Sequence, residues 1–252
     1  MKIQYASDLH LEFPANKDFL KRYPLQPVGD VLVLAGDLVP FSVMEQHQDF
    51  FSYVSDHFKT TYWLPGNHES YHFDVAEKSG VMNDAIRSNV FLMNNTSVVH
   101  ENVKLVFSTL WSHIRPGNQW QIERSLNDFH LIKHKGYRFS AERYNQIHEE
   151  SLAFIHDEIK KRQNEKMAVF THHCPTFQNY PEQYKGDVLN DAFAVELHDL
   201  IEPSEIAYWV YGHHHANTAE FTIGKTKLMT NQLGYVHRNE HQLFENNKII
   251  EL

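Results

Sequence analysis

The sequence predicts a layered α/β or α+β domain, and three observations lead to this fold class. Short apolar runs rich in β-forming residues recur along the chain and alternate with helical patterns. Hydrophobic residues make up 42% and charged residues 22% of the 252 residues, a composition that excludes disordered and fibrous classes. No linker rich in Pro, Gly or Ser and no internal repeat divides the chain. We therefore expect one domain over residues 1–252, although the length by itself also permits two smaller ones.

Seven apolar runs predict buried strands, because each run is short and several stop abruptly at a polar residue or a glycine. The runs are Ile3–Ala6, Val31–Ala35, Thr61–Leu64, Val103–Phe107, Met167–Thr171, Ala207–Tyr211 and Lys227–Thr230.

Three helical patterns lie between these runs. Ser42 and Glu45 form a capping-box signature in front of an apolar stripe. A longer periodic pattern predicts a helix over about residues 140–162. A third pattern begins at Phe193 and ends before Pro203. Alternation of strands with helices is what favours the layered architecture.

The segment over residues 111–139 is the least regular part of the sequence and is rich in aromatic, histidine and polar residues. Long irregular stretches inside a domain are often functional, so we expect a loop or cap there. Candidates for shaping a pocket, each with an ordinary loop or turn position as the alternative, are His113, Arg115, Asp128, Asn231 and Tyr235.

Charge and cysteine content restrict the partners and the compartment. Lys and Arg total 23 against 32 Asp and Glu, and the net charge of -9 gives no footprint for non-specific nucleic-acid binding. Cys174 is the only cysteine and cannot form an intramolecular disulfide. The longest apolar runs, such as Val31–Ala35, are far too short for a membrane span, and Met1–Tyr5 lacks the apolar core of a signal peptide. We expect a cytoplasmic protein with no membrane partner, and the oligomeric state stays open.

Side chains that commonly bind metals follow five of the predicted strands. In open α/β sheets, ligands bind at the edge where the carboxyl ends of the strands lie. The five motifs are Asp8-x-His10, Gly36-Asp37, Gly66-Asn67-His68-Glu69, His172-His173 and Gly212-His213-His214-His215.

These motifs supply carboxylates, one side-chain amide and several imidazoles, without a thiolate cluster. Such donors suit divalent Mn, Fe, Co, Ni or Zn, and suit neither a cysteine-based structural zinc site nor an all-oxygen calcium site. Asp8 and His10 point to the same side of an extended segment, and so do His213 and His215, so each pair can chelate one ion. The donors exceed the needs of one ion, which favours two ions about 3.5–4 Å apart with a bridging carboxylate.

Each motif alone has an ordinary explanation, since Asp, Asn, Gly and His are common in turns that follow strands. Five such motifs in order, each after an apolar run, are much harder to attribute to chance. The conjunction therefore predicts a metal-dependent site.

With this ordered set the sequence resembles the calcineurin-like metallophosphoesterase superfamily, whose pattern is D-x-H, G-D, G-N-H-(D/E), H and G-H-x-H. The resemblance extends from Ile3 to about Tyr235 and includes features of the single-domain bacterial-type branch. It implies a four-layer α/β/β/α sandwich of two mixed β-sheets flanked by helices, with a dinuclear metal site at the strand ends.

The resemblance also implies two sets of metal ligands that share Asp37 as the bridge. His173 is the alternative to His172, which is preferred because it directly follows Thr171 and the apolar run, and His214 is expected to face away. The first set is Asp8, His10, Asp37 and His215, and the second is Asp37, Asn67, His172 and His213.

The implied reaction is hydrolysis of a small phosphomonoester or phosphodiester by a metal-bridging hydroxide, with two divalent first-row ions as cofactors. In this scheme His68 stabilises the transition state or protonates the leaving oxygen, and Glu69 orients His68 or holds it protonated. A scaffold that has kept the fold and lost catalysis is one alternative, although the ligand positions and His68 are all intact. A nuclease is another, and the net charge argues against it.

Overall fold

The computed structural model describes residues 1–252 as two six-stranded β-sheets with helices on their outer faces. A separate two-stranded ribbon completes the strands. The strands are β1 (Lys2–Ala6), β2 (Val31–Ala35), β3 (Thr60–Leu64), β4 (Met82–Arg87), β5 (Val90–Asn94), β6 (Thr96–His100), β7 (Val103–Ser108), β8 (Lys133–His134), β9 (Tyr137–Arg138), β10 (Lys166–Thr171), β11 (Tyr208–Tyr211), β12 (Phe221–Ile223), β13 (Thr226–Thr230) and β14 (Ile249–Glu251).

Six α-helices and several short 3-10 helices connect these strands. None of the helices combines the length and the apolar character that crossing a bilayer requires. The α-helices are α1 (Pro14–Arg22), α2 (Gln48–His57), α3 (Gln119–Ser125), α4 (Asp128–Leu131), α5 (Ala141–Lys161) and α6 (His198–Ile201). The 3-10 helices are Phe41–His47, His68–Ser70, Glu182–Tyr184, Val188–Ala192, Val236–Arg238 and Glu240–Leu243.

The two large sheets share one plan, in which four parallel strands are bordered by an antiparallel strand on each side. The first sheet has the order β14-β1-β2-β3-β5-β4, and the second has the order β12-β13-β11-β10-β7-β6. Only β14, β4, β12 and β6 run antiparallel to their neighbours. The parallel strands therefore direct all their carboxyl ends to one edge of each sheet.

The alternation of side chains along β2 builds two hydrophobic layers at once. Val31, Val33 and Ala35 face the core between the two sheets, whereas Leu32 and Leu34 face the layer under α1 and α2. Strands buried on both faces have continuous apolar sequences, which explains why β2 consists of apolar residues only. The arrangement confirms the predicted four-layer sandwich of two mixed sheets flanked by helices.

The outer layer of the second sheet is formed by α5. Its residue Ile155 packs in one cluster with Val169 of β10 and Trp209 of β11. Ser140 is the N-cap of α5 and its side chain accepts a hydrogen bond from the backbone N–H of Arg143. The predicted helix over 140–162 is thus confirmed, and the structure adds its N-terminal cap.

Two helical predictions are wrong in part. Ser42 does not cap a helix, because its hydroxyl donates to the carbonyl of Tyr71 and the chain forms a 3-10 helix over Phe41–His47 before α2 begins. The third helix is short, since only His198–Ile201 is α-helical and Phe193 lies outside it.

The seven predicted strands are all present, and five further strands of the two large sheets were not predicted from the sequence. The edge strands β4 and β6 carry mixed polar and apolar residues with partial exposure, so they lack a continuous apolar signal. The segment 111–139 contains α3, α4 and the β8–β9 ribbon, and it packs its own apolar cluster around Phe129 and Phe139. This segment borders the edge where the parallel strands end.

Candidate metal centre

Five polar residues that follow parallel strands have left-handed backbone conformations. Their φ angles are 57° at Asp8, 47° at His10, 53° at Asp37, 79° at His213 and 52° at His215. Non-glycine residues adopt this region rarely and at a free-energy cost of about 1–3 kcal/mol each. Strain concentrated in this way is a common feature of functional sites, where surrounding contacts hold the backbone. Here it turns the side chains of separate strand ends toward each other.

The first group of side chains, which we call centre 1, contains Asp8, His10, Asp37 and His215. The two Nε2 atoms of His10 and His215 are 3.0 Å apart. Asp8 Oδ1 lies 3.4 Å from His215 Nε2, and Asp37 Oδ2 lies 3.7 Å from His10 Nε2. Nitrogen and oxygen ligands at ~2.0–2.2 Å from one tetrahedral ion are about 3.3–3.6 Å apart, so this spacing fits one cation.

The second group, centre 2, contains Asp37, Asn67, His172 and His213, and it shares Asp37 with centre 1. His172 Nε2 lies 3.3 Å from Asp37 Oδ1, 3.2 Å from Asn67 Oδ1 and 3.2 Å from His213 Nδ1. Asp37 thus presents one carboxylate oxygen to each centre. All seven residues predicted as ligands lie in these two groups.

The hydrogen bonds of the four histidines fix which ring nitrogen faces each centre. Every one of these rings directs its outer nitrogen to an oxygen that can only accept a hydrogen bond, so the outer nitrogen carries the proton. The inner nitrogens then face each other as lone pairs, which only a proton or a metal cation between them can relieve. The outer contacts are His10 Nδ1 to Glu12 (3.2 Å), His215 Nδ1 to Glu240 (2.8 Å), His172 Nδ1 to the Ala35 carbonyl (3.1 Å) and His213 Nε2 to the Ala192 carbonyl (3.2 Å).

The charge balance of the two centres favours a cation. Burial opposes the ionised form of Asp37, but His172 and the neighbouring histidines outweigh it and hold the pKa well below its usual value. Burial likewise opposes charge on His215, but Asp8 and Glu240 raise its pKa to about 10. Asp37 and Asp8 raise the pKa of His172 to about 9 against the same desolvation. In each centre, the carboxylates around one buried imidazole therefore favour a positive charge at that position.

Glycines provide the space in which these ligands converge. A Cβ atom on Gly66 would lie 2.2 Å from Asp37 Oδ1 and 2.6 Å from His172 Nε2. A Cβ atom on Gly212 would lie 2.5 Å from Asp8 Oδ2. All three distances are shorter than real Cβ contacts, so a side chain at either position would displace the ligands. These glycines are needed for close approach and not as turn formers alone.

A network through the segment 111–139 orients Asn67. The Asn67 amide nitrogen donates to Asp128 Oδ1 at 2.9 Å, which leaves the amide oxygen directed at His172. Asp128 also accepts a hydrogen bond of 2.8 Å from the Tyr71 hydroxyl. Asp128 therefore belongs to the site, whereas Arg115 forms an ion pair with Asp191 away from it and His113 is exposed. The Asn231 side chain donates to the backbone carbonyls of Tyr5 and Glu245. It therefore connects β1 to the segment before β14 and does not face the centres.

Three histidines of the motifs lie outside both groups, and two of them, His173 and His214, face away from the centres. His173 stacks on Trp111 and directs Nδ1 to the carbonyl of Thr109 at 3.3 Å. His214 packs against Tyr180 and Tyr211, and its Nδ1 accepts a hydrogen bond from the backbone N–H of Ala216. The structure thus brings His172, and not His173, into centre 2.

His68 lies beside centre 1 with its ring near that of His10, at a centroid distance of 4.5 Å. Its Nδ1 is 3.0 Å from Glu12 Oε1, and its Nε2 is 3.4 Å from the Tyr235 hydroxyl. Burial opposes charge on His68, but Asp37 and Glu12 outweigh it and raise the pKa of the imidazole. The acid that contacts His68 is therefore Glu12.

Glu69 has different partners from those expected. Its carboxylate accepts hydrogen bonds from the backbone N–H groups of Asp37, Leu38 and Gly66 and from the indole N–H of Trp63, at 2.7–3.1 Å. These contacts tie together the two loops that follow β2 and β3. Glu69 therefore holds the backbone that carries Asp37 and Asn67, and the expected carboxylate–imidazole contact with His68 is not formed.

Both centres open into a pocket of about 370 Å³. Its lining includes Asn127 and Asp128 of the segment 111–139, which supports the expected contribution of that segment to a pocket. Tyr180, Tyr184 and Phe193 form an aromatic wall on the side of the second sheet. The opposite rim carries Tyr235, whose ring contacts His10 and His215, and Arg238, whose guanidinium lies 5.2 Å from that ring.

Two acids of the site, Glu12 and Glu240, were missed in the sequence. Glu12 repeats the two-residue spacing of Asp8 and His10 and could have been found from it. The expected extended segment is wrong, however, because β1 ends at Ala6 and left-handed backbone at Asp8 and His10 brings these side chains together. Glu240 lies 25 residues after His215, at the start of a short 3-10 helix that carries no motif, so no sequence pattern points to it.

Comparison with known proteins assigns the chain to a family and supports its fold. A family model described as calcineurin-like phosphoesterase matches residues 1–217. An uncharacterized protein of Acanthamoeba polyphaga mimivirus is 30% identical over 266 residues, covering 95% of this chain and 93% of that protein. The structure of a phosphopantetheinyl hydrolase from Mycobacterium tuberculosis superposes with a TM-score of 0.72 at 14% identity, covering 99% of this chain and 95% of the other. A dimetal phosphatase from Danio rerio gives a TM-score of 0.50 at 13% identity, covering 92% and 87%. The chain therefore belongs to the calcineurin-like phosphoesterase family.

Proposed function

We propose that this protein hydrolyses a phosphomonoester or phosphodiester with the help of two divalent first-row metal ions. The observation that carries the proposal is the convergence of four imidazole nitrogens with Asp8 and Asp37, next to His68, at the base of one pocket. In this proposal Asp8, His10, Asp37 and His215 hold one ion, and Asp37, Asn67, His172 and His213 hold the other.

The donor set fits two such ions, and it suits neither a cysteine-based structural zinc site nor an all-oxygen calcium site. Imidazole and carboxylate ligands at this spacing suit Mn, Fe, Co, Ni or Zn. When bound, the ions supply charge neutralisation for the phosphate oxygens and lower the pKa of water toward neutrality, so that a nucleophile is available near pH 7. Asp37 contributes by contacting both centres through separate oxygens, which sets their separation.

The protein contributes a proton donor beside the ions. His68 Nδ1 donates to Glu12, and its Nε2 faces the pocket near the Tyr235 hydroxyl. In the proposed reaction His68 starts protonated on both ring nitrogens, consistent with its raised pKa, and gives the Nε2 proton to the leaving oxygen of the ester or stabilises the charge that develops there. The ring is then neutral, with its Nδ1–H still donating to Glu12. Such a role is typically worth about 10²–10⁴-fold in rate. Glu69 acts indirectly in this scheme, as the residue that holds the loops of Asp37 and Asn67.

The pocket favours a small phosphate ester with an organic group. The aromatic wall of Tyr180, Tyr184 and Phe193 offers apolar contact on one side of the centres, and Arg238 offers a cation on the other. One structural neighbour is a phosphopantetheinyl hydrolase, so a phosphopantetheine ester is a reasonable member of a substrate screen. The net charge of -9 disfavours the nuclease alternative.

A reconstitution screen tests the proposal. The protein is stripped with a chelator, reloaded separately with Mn, Fe, Co, Ni or Zn, and assayed with p-nitrophenyl phosphate and bis-p-nitrophenyl phosphate, with elemental analysis in parallel. We expect about two ions per chain, hydrolysis of at least one ester, and loss of turnover on chelation. A folded protein that binds two ions but hydrolyses no phosphate ester would instead favour the scaffold alternative. Cleavage of DNA with tight binding at physiological salt would favour the nuclease.

A further inference from the structure

We propose that Glu12 is a positioning residue that holds a ligand of centre 1 and the proposed proton donor through one carboxylate oxygen. This inference rests on the proposed function, because it assigns Glu12 a part in the same reaction. It concerns a residue outside the two ligand sets.

The geometry is specific to a shared acceptor. Glu12 Oε1 lies 3.2 Å from His10 Nδ1 and 3.0 Å from His68 Nδ1. The two rings meet edge to face, with planes inclined by 70°. The Glu12 side chain is 16% exposed, against 0% for His10 and 11% for His68. A mostly buried carboxylate that meets two imidazoles is a stronger hydrogen-bond acceptor than a solvated one.

The second oxygen strengthens the assignment. Glu12 Oε2 is buried and has no hydrogen-bond partner in the protein. No other donor therefore competes for the orientation of the carboxylate, and the two imidazoles account for its protein contacts. Buried carboxylates without hydrogen-bond partners are uncommon, because burial of the charge is unfavourable unless hydrogen bonds compensate for the lost hydration.

The consequence is that one oxygen keeps Nδ1 protonated on both rings and sets the direction of both Nε2 atoms. With Nδ1 protonated on each, His10 directs its Nε2 lone pair into centre 1. His68 directs Nε2 into the pocket, near Tyr235. If either ring moves, the shared Glu12 oxygen moves with it, and the hydrogen bond to the other ring changes as well. Metal binding at centre 1 and the orientation of His68 are therefore linked through Glu12.

Glu240 provides a matched control for this linkage. It also accepts a hydrogen bond from the Nδ1 atom of a centre 1 ligand, His215, at 2.8 Å. It makes no hydrogen bond to His68. Loss of either acid should therefore weaken centre 1, but only loss of Glu12 should act through His68.

The experiment combines metal affinity with a double-mutant cycle. Glu12→Ala, Glu12→Gln and Glu240→Ala are prepared with and without His68→Gln. Zinc and manganese affinities are measured by chelator competition, which requires no turnover. The kcat and KM values are measured at saturating metal on p-nitrophenyl and phenyl esters of the class that the wild-type protein hydrolyses. The phenyl ester has the more basic leaving oxygen and so depends more on a proton donor.

Removal of the Glu12 carboxylate should reproduce part of the kcat loss expected for His68→Gln. We expect Glu12→Ala to weaken metal binding by about 10–100-fold and to lower kcat at saturating metal by about 100-fold, with KM within about threefold of wild type. The kcat loss should be larger on the phenyl ester and should disappear in the His68→Gln background. Glu12→Gln retains an acceptor oxygen of the same shape, so its kcat should stay within about threefold of wild type. Glu240→Ala should weaken metal binding, and its effect on kcat should be the same in both backgrounds.

Three results would overturn the proposal. The first is Glu12→Ala with wild-type metal affinity and kcat in a protein that hydrolyses the esters. The second is a kcat loss that persists unchanged in the His68→Gln background, since Glu12 would then not act through His68. The third is a reconstituted wild-type protein that hydrolyses no phosphate ester, which refutes the proposed function and removes the catalytic half of this inference with it.

Discussion

The two centres differ in what holds their histidines. In centre 1, both imidazoles donate to carboxylates, Glu12 and Glu240. In centre 2, both donate to backbone carbonyls, those of Ala35 and Ala192. A carboxylate partner increases the basicity of a ligand imidazole, whereas a carbonyl orients it with little added charge. Centre 1 is therefore adjustable by side-chain substitution, and centre 2 is built largely into the backbone of the fold.

The difference follows from where the histidines lie. His172 directly follows β10, so its outer nitrogen reaches the neighbouring β2 at Ala35, across the interface between the two sheets. His10 and His215 lie farther beyond their strands, near loops that supply acidic side chains. His172 thus uses the backbone of a strand, and His213 uses that of the 3-10 helix Val188–Ala192. The centre 1 histidines depend instead on acidic side chains.

The largest effect is expected where the two centres meet. Asp37→Ala removes an oxygen from each centre, so both should lose affinity and the chain should retain fewer than two ions. We expect activity to fall by more than about 100-fold, because loss of a hydrogen-bonding partner of a ligand already costs about 10–100-fold. Elemental analysis and ester hydrolysis measure both effects. A variant that keeps two ions and full activity would show that the centres do not share this residue.

The next effect separates catalysis from metal binding. His68→Gln should lower kcat by about 10²–10⁴-fold. Metal content should remain near two ions, because His68 belongs to neither ligand group. Comparison of ion content with kcat after reloading provides the measurement. If kcat falls only in proportion to lost metal, His68 acts as a structural neighbour of His10 and not as a proton donor.

A smaller effect should distinguish the two centres directly. Glu240→Ala should weaken one of two resolved metal-binding steps by about 10–100-fold and leave the other unchanged. Calorimetric titration of the stripped protein with zinc provides the test. Equal weakening of both steps would mean that the carboxylates around centre 1 influence the whole site instead of one ion.

The smallest effect concerns centre 2, where one side-chain partner is present. Asp128→Ala leaves Asn67 without the acceptor of its amide nitrogen, so the amide can rotate away from His172. We expect metal affinity to fall by about tenfold, the lower end of the range given for Glu240→Ala. The loss should be confined to the metal-binding step that Glu240→Ala leaves unchanged. Asp128→Asn is the control, because it retains an acceptor oxygen for Asn67. A loss equal to that of Glu240→Ala would remove the distinction between the centres.

Much of the site was predictable because its ligands follow strongly apolar strands. Val31–Ala35 is a strand by composition, and Asp37 comes two residues after it, at the edge where parallel strands end. The choice of His172 over His173 was likewise made from its place directly after β10, and the structure brings His172 into centre 2. The role of Glu69 could not be predicted in the same way, because two of its partners, the backbone N–H groups of Asp37 and Leu38, lie 32 and 31 residues away along the chain.

The sequence by itself determined which strands the motifs follow, the long helix α5, and the chemical character of the donors. These features depend on local propensity and on the period of apolar residues, which neighbouring positions encode. Only the tertiary structure decided which acids contact His10, His68 and His215, and that Ser42 hydrogen-bonds Tyr71 instead of capping a helix. The physical reason is that a hydrogen bond between distant segments depends on how loops pack, and no local pattern records its partner.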